Sequence, residues 1–402
     1  MEDSISIINE ANERFRAAAM DRGRVSGLTH EFYRYPARFS PQFSGAAIER
    51  FTEPGDLVLD PYAGGGTTVV EALVRGRKVI GNDINSLAVF VARVKTTPLT
   101  ANEKTEVRIW AEEIHAFNYK SSLASSSSIS SDPRLYNMNQ PKTRYVKKII
   151  ALALEAADSL STTPAQEFIR CAVLKTAQWA LDGKKSRAST QDFRNKLAIT
   201  IEEMLSGLEA FITRNAGRLT KGSVSKQRTL IHGDASLINQ HPTFQNSKTK
   251  VKLVVTSPPY PGVHVLYHRW QVDGRKETPV PYWIARCYDG AGASYYTFGD
   301  RKEKGLNRYF ETSLSTLQSI RKVMHLDGTF VQLIAFSDPA SQLPRYLRNM
   351  ERAGFQELFL GEGTLPTRAS RIWRAVPNRK WHATLNGRTS SSREVVLIHK
   401  IA

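Results

Sequence analysis

A doubly wound α/β sheet interrupted by a helical insertion is the fold class this sequence predicts. Three observations predict it. Near the start, strand patterns at 57–60 and 78–83 flank a helical stretch at 69–75, the alternation of a βαβ unit. A second alternation fills the C-terminal part, with an apolar strand at 251–255, a helix at 308–324, a buried strand at 328–336, a helix at 343–353 and a closing strand at 393–401. Between them, residues 96–228 lose the strand pattern and take up helical periodicity.

The first strand, Leu57-Val58-Leu59-Asp60, runs into Pro61-Tyr62-Ala63-Gly64-Gly65-Gly66-Thr67-Thr68. Three glycines let a backbone approach a ligand closely and reach positive φ cheaply, and Thr67 or Thr68 is placed to cap the next helix. The second strand, Lys78-Val79-Ile80-Gly81-Asn82-Asp83, ends in a carboxylate about twenty residues after the glycine turn, the spacing at which an acid accepts hydrogen bonds from ribose hydroxyls. The turn lacks the GxGxxG arrangement of a dinucleotide site, which argues against NAD. A tight turn followed by a surface aspartate is the plainer reading of the same residues.

The insertion contains a serine-dominated tract at 121–131 and helical patterns at 145–160, 165–181 and 192–212, with Ile149, Leu152, Leu154 and Ala157 on one face. Its basic pieces, Lys147-Lys148, Lys184-Lys185 and 221–228, suit contact with DNA, and packing or dimerisation explains the helix faces equally well. The domain organisation expected is therefore 1–95 and 229–402 as the two parts of one core, with 96–228 inserted.

The run Val251-Lys252-Leu253-Val254-Val255 enters Thr256-Ser257-Pro258-Pro259-Tyr260. Consecutive prolines fix φ and donate no N–H, so nearby carbonyls stay available to receive the hydrogens of an amine. Tyr260 offers a flat face for a nucleobase. A proline turn after a buried strand is the plainer alternative. Beyond it, 261–308 reads as a long aromatic and basic loop, with Tyr267, His268, Arg269, Trp270, Tyr282, Trp283, Tyr295 and Tyr296, a length that is usually functional.

Together these segments resemble the S-adenosylmethionine-dependent amino DNA methyltransferases, of the N4-cytosine type and like the methylases of restriction-modification systems. Asp60-Pro61-Tyr62-Ala63-Gly64-Gly65-Gly66-Thr67-Thr68 is similar to the family's DPFxGSGTT cofactor loop, with Tyr62 for Phe and Gly65 for Ser. Thr256 to Tyr260 matches its TSPPY loop, and Tyr33-Arg34-Tyr35-Pro36-Ala37-Arg38-Phe39 resembles its YPAKF segment, with Arg38 where Lys is common. His232-Gly233-Asp234-Ala235-Ser236, after Thr229-Leu230-Ile231, resembles the position that receives the adenine.

The resemblance implies a Rossmann-like methyltransferase sheet. It implies S-adenosylmethionine held by Arg38, Asp60, Ala63, Gly64, Gly65, Gly66, Thr67, Asp83, Ile84, Asp234 and Ala235, and catalysis at Ser257, Pro258, Pro259 and Tyr260. Serine at 257 favours cytosine, since adenine enzymes of this kind more often carry Asp there. Adenine N6 is the nearest alternative, ahead of an RNA or protein amide methyltransferase or a non-catalytic DNA-binding protein. Methylation at cytosine C5 needs an activated cysteine nucleophile, and Cys171 and Cys287 follow arginines rather than a proline.

Composition agrees with a duplex-DNA partner. The net charge is +18 and the pI about 9.9, which favours phosphate binding. Arg371, Arg374, Arg379, Lys380 and Trp381, in an acid-free stretch with Trp373 and Arg368, are the candidate DNA contacts. The 402 residues, 41% of them hydrophobic, are ample for a core. Two cysteines give neither a disulfide framework nor a cysteine zinc site, so no metal is expected. With no apolar run of membrane-spanning length and no signal pattern, a cytoplasmic protein is expected, as monomer or homodimer, with or without a cognate restriction endonuclease.

Overall fold

The computed structural model describes residues 2–21, 23, 25–34, 40–116, 132–138, 140–184, 188–214, 219–245, 249–262, 269–272, 276–290, 293–296, 298–299, 302–360, 371–375 and 393–402. The serine tract at 121–131 lies outside them. The strands are β1 (Leu57–Asp60), β2 (Lys78–Asp83), β3 (Arg228–His232), β4 (Val251–Thr256), β5 (Trp270–Val272), β6 (Lys276–Thr278), β7 (Met324–Ala335), β8 (Phe355–Glu357), β9 (Ile372–Ala375) and β10 (Arg393–Ile401). The helices are α1 (Glu2–Met20), α2 (Pro41–Phe51), α3 (Thr67–Val74), α4 (Ser86–Lys95), α5 (Ala101–Ala116), α6 (Arg144–Ala157), α7 (Thr163–Leu181), α8 (Thr190–Arg214), α9 (Lys221–Gln227), α10 (Val280–Ile284), α11 (Glu303–Val323) and α12 (Pro339–Arg352).

The main sheet has the order β3-β2-β1-β4-β7-β10-β8, and β9 pairs with β10. From β3 to β7 every pairing is parallel, while β10 runs antiparallel to β7, β8 and β9. The central strands are nearly continuous apolar runs because helices cover both faces. Alternate residues divide between two cores. Val58, Val79, Leu253, Val255, Val331, Leu333, Val396 and Ile398 belong to one, whereas Leu59, Ile80, Val254, Phe330, Ile334, Val395 and Leu397 belong to the other, as the twofold period of a strand requires. α11 and α12 cover the second face.

The first face is larger. It takes α2, α3 and α4 together with α5 to α8, whose apolar residues join the same core. α7 lies at its centre, packed on α4, α5, α6, α8 and α10. The helices between β2 and β3 therefore share their interior with the sheet.

Several boundaries differ from the expectation for physical reasons. α11 starts at Glu303, inside the stretch read as loop, because Tyr309 and Phe310 are buried on its inner face. α12 starts at Pro339, since the Asp338 side chain accepts from Ala340 N and Pro339 occupies the first turn. Neither threonine caps α3: its N-cap is Gly66 at φ 76°, and Thr67 and Thr68 are buried inside the first turn.

Candidate active site

Both sequence motifs arrive at one edge of the sheet because β1 and β4 are adjacent and parallel, with Leu59 opposite Val254. A hydrogen bond joins them. The Thr256 hydroxyl at the end of β4 donates to Asp60 Oδ1 at the end of β1, 2.6 Å away. Asp60 is buried and also accepts from Tyr62 N at 3.1 Å. Burial raises its pKa to about 6 against the pull of these donors.

The glycine turn then folds back over β2. Ala63 N donates to Asn82 O at 2.9 Å and Gly66 N to Ala63 O at 2.8 Å. Gly66 must be glycine on two grounds: its φ is 76°, and a Cβ would stand 2.8 Å from Ala92 Cβ in α4. Lys95, fully buried in the last turn of α4, donates to Gly65 O at 2.6 Å. No local sequence pattern announces that contact.

Asp83 ends β2 beside this turn. Its Oδ2 accepts from Gly64 N at 2.7 Å and its Oδ1 from Asn85 N at 2.8 Å, while burial raises its pKa to about 6, opposed by those two bonds and by nearby His232. Each carboxylate oxygen keeps a second lone pair for a ribose hydroxyl. Ile84 follows, half-buried against the first core. Asn82, which the sequence did not single out, ties three segments together by donating to Pro61 O at 3.0 Å and Gly233 O at 3.1 Å. Among the described residues its buried Oδ1 has no hydrogen-bond partner.

β3 lies next to β2 with His232 opposite Asp83, which places Asp234 and Ala235 beside the same edge. Asp234 is exposed and caps the following 3-10 turn, accepting from Ser236 N at 2.8 Å, and Ala235 is buried. Arg38 lies outside the described residues.

In the loop after β4, Pro258 is buried and Ser257, Pro259 and Tyr260 are half-buried. Tyr309 in α11 donates to Pro259 O at 2.9 Å, and the Tyr260 ring packs against the second core. The Tyr260 hydroxyl donates to Glu394 Oε1 in β10 at 2.6 Å and lies 3.3 Å from Ser257 Oγ. Sequence reasoning missed Tyr309 and Glu394, because their positions depend on packing between distant segments.

The proposed DNA contacts fare differently. Arg374 is buried, 3% exposed, and donates to Glu394 Oε2 at 2.8 Å directly across β9 and β10. That corrects its assignment as a phosphate contact: an arginine spent inside an ion pair cannot also reach DNA. Arg371 makes a two-pronged bond to Glu357, both at 2.7 Å, with little exposure, so it braces β8 in the same way. Arg379, Lys380 and Trp381 lie outside the described residues.

The stretch 261–308 is more ordered than a loop reading implies. β5 and β6 pair antiparallel, Trp270 Nε1 donates to the Tyr33 hydroxyl at 2.9 Å, and Tyr282 donates to Asn85 Oδ1 at 3.2 Å. Trp270, Tyr282 and Tyr296 are thus buried packing residues, whereas Tyr288 and Tyr295 are exposed. A cavity of about 700 Å³ opens where this stretch meets the insertion, lined by Arg134, Tyr136, Arg269 and Tyr288 among others. Among the described residues no cluster of side chains could hold a metal ion, and no helix is long and apolar enough to cross a membrane.

Residues 12–93 match the family model of DNA methylases. The match runs from α1 through α4 and so contains the glycine turn and Asp83. Over 75 residues the chain is 39% identical to the Type II methyltransferase M.MvaI of Kocuria varians, covering 18% of this chain and 16% of that protein. The DNA adenine methyltransferase YhdJ of Escherichia coli is 41% identical over 66 residues, 16% of this chain and 22% of that protein. The alignments thus span less than a quarter of either relative. Among solved structures, TrmN from Thermus thermophilus is 12% identical with a TM-score of 0.34, over 93% of this chain and 53% of that one. A methyltransferase-titled protein from Streptococcus mutans solved with SAH is 8% identical with the same TM-score, over 90% and 99%. Likeness of that degree carries no weight for function.

Proposed function

We propose that this chain is an S-adenosylmethionine-dependent DNA methyltransferase acting on the exocyclic N4 amine of a cytosine turned out of the duplex. The observation that carries the reading is the Thr256–Asp60 hydrogen bond, which holds a TSPPY loop against a glycine-rich cofactor turn. The residues fit such a cofactor: a Cβ at Gly66 would close the turn, and Asp83 sits beside it with lone pairs to spare. In this reading Asp83 and Ile84 hold the ribose, Gly64 to Thr67 and Asp60 the methionine end together with Arg38, and Asp234 and Ala235 the adenine.

The cofactor supplies an electrophilic methyl on a sulfonium. An aromatic amine is a poor nucleophile, because its lone pair is delocalised into the ring, so positioning does most of the work. The Ser257 hydroxyl and the Pro258 carbonyl accept the amine hydrogens and turn the nitrogen toward sp³. The Tyr260 ring stacks on the extruded base. The bound cofactor would supply its methyl to this nitrogen and leave as the neutral thioether, and the proton lost from nitrogen would pass by way of the Ser257 hydroxyl to water. No covalent base adduct is required.

The methyltransferase core in this reading comprises 1–95 and 229–402, and the insertion 96–228 and the stretch 261–308 share contact with DNA. Similarity to a Type II methyltransferase supports a restriction-modification role, and this reading adds a cytoplasmic location and a cognate endonuclease. The local similarity to YhdJ, an adenine methyltransferase, favours adenine N6 as the second reading. Incubating the protein with methyl-tritiated S-adenosylmethionine and duplex DNA, RNA or protein tests the acceptor class. Label in DNA alone is expected, and label confined to RNA or protein would overturn the reading.

A further inference from the structure

We infer that Glu394, held by Arg374, is a positioning residue that fixes the direction of hydrogen bonding at the catalytic loop and thereby leaves Ser257 as an acceptor. The inference rests on the methyltransferase reading of that loop. Glu394 and Arg374 face each other across β10 and β9, joined at 2.8 Å, with side chains 6% and 3% exposed. Arg374 also donates to Ala19 O at the end of α1, at 3.2 Å, so the guanidinium is anchored on two sides. A carboxylate has no hydrogen of its own to give and only accepts hydrogen bonds.

From this the rest follows. A phenol has one hydrogen, and that of Tyr260 is given to Glu394 Oε1 over 2.6 Å. In the 3.3 Å contact between Tyr260 and Ser257 the phenol oxygen is then the acceptor and Ser257 the donor. The serine hydrogen is turned toward Tyr260, and the serine lone pairs remain for the hydrogens of an incoming amine. Were the chain reversed, Ser257 would accept from Tyr260 and present its own hydrogen to the amine, opposing the lone pair it must expose.

Register explains why the acid can do this from a strand more than a hundred residues away. Glu394 is opposite Ala335 in β7, and Gln332 of the same strand is opposite Thr256. The acid therefore lies just beyond the end of β4, beside the loop.

The test combines Tyr260→Phe, which keeps the ring and removes the hydroxyl, with Glu394→Gln. Each is expected to lower kcat for DNA methylation roughly tenfold to a hundredfold with KM for S-adenosylmethionine unchanged. The double variant is expected to match Tyr260→Phe alone, because Glu394 acts through that hydroxyl. A further loss in the double variant, or a KM effect of Glu394→Gln equal to its kcat effect, would overturn the inference in favour of a general brace. A second readout is independent of activity: with ¹³Cζ-labelled tyrosine, the resonance missing from Tyr260→Phe is expected to shift in Glu394→Gln. An unmoved resonance overturns the hydrogen-bond chain. If the wild-type protein methylates no DNA, the reading of function fails, and the resonance still decides the chain.

Discussion

Asp83 and Asp60 carry a pH dependence whose sign follows from burial. Both have folded pKa values raised from 3.8 to about 6, so the folded protein binds their protons more tightly than the unfolded chain does. Their contribution to stability is present below pH 4 and is lost as the pH rises through about 6. Cofactor binding runs the other way, since ribose hydroxyls and a cationic ligand favour the ionised acids. Affinity for S-adenosylmethionine, measured by calorimetry, is expected to fall by up to about tenfold per unit below pH 6, and Asp83→Asn should flatten the curve. A pH-independent affinity in the wild-type protein would contradict that role. At neutral pH, Asp83→Ala is expected to weaken cofactor binding first, whereas Tyr260→Ala should abolish turnover while the cofactor still binds. Equal loss of cofactor affinity in both would contradict the division of labour. Asp83, Gly66 and Ser257 were legible because their motifs are local. Lys95, Asn82 and Glu394 were not, because each acts on a segment brought close only by packing or strand pairing.

Strands and helices show where pattern reading works and where it stops. The closing strand and the strands of both βαβ-like halves stood out as apolar runs, since a sheet covered on both faces demands them. β9 did not, for it is only four residues long, is interrupted by the charged Arg374, and owes its place to pairing with β10. Its Arg374 and the preceding Arg371 looked like part of a DNA-binding stripe because charge in a sequence carries no partner. Arg371→Ala is therefore expected to cost about 1–2 kcal/mol of stability through loss of the Glu357 bond, read by denaturant unfolding, and to leave the salt dependence of DNA binding unchanged. A shallower salt slope would restore Arg371 as a phosphate contact. Truncating Arg374 to Ala should destabilise more, about 3–5 kcal/mol, because Glu394 is left buried and unpaired. In the glycine turn, Gly66→Ala is expected to cost about 1–3 kcal/mol, combining a left-handed backbone with crowding against Ala92. Unfolding indistinguishable from wild type would show that α3 and α4 can separate.

At the scale of the whole molecule, the chain brings two motifs nearly two hundred residues apart to one sheet edge and packs helices α5 to α8 against one face of that sheet. The net charge of +18 then supplies long-range attraction for a polyanion. Duplex-DNA affinity is expected to fall steeply with salt, log K changing by about −0.9 per phosphate contacted for each unit of log salt concentration. What neither charge nor topology specifies is the base, and there Ser257 is the distinguishing residue, set beside local similarity to an adenine enzyme. The most direct test is nucleoside mass spectrometry of duplex DNA after incubation with the protein and methyl-labelled S-adenosylmethionine. Labelled N4-methylcytosine is the predicted product; labelled N6-methyladenine, or no labelled nucleoside at all, would contradict the central claim.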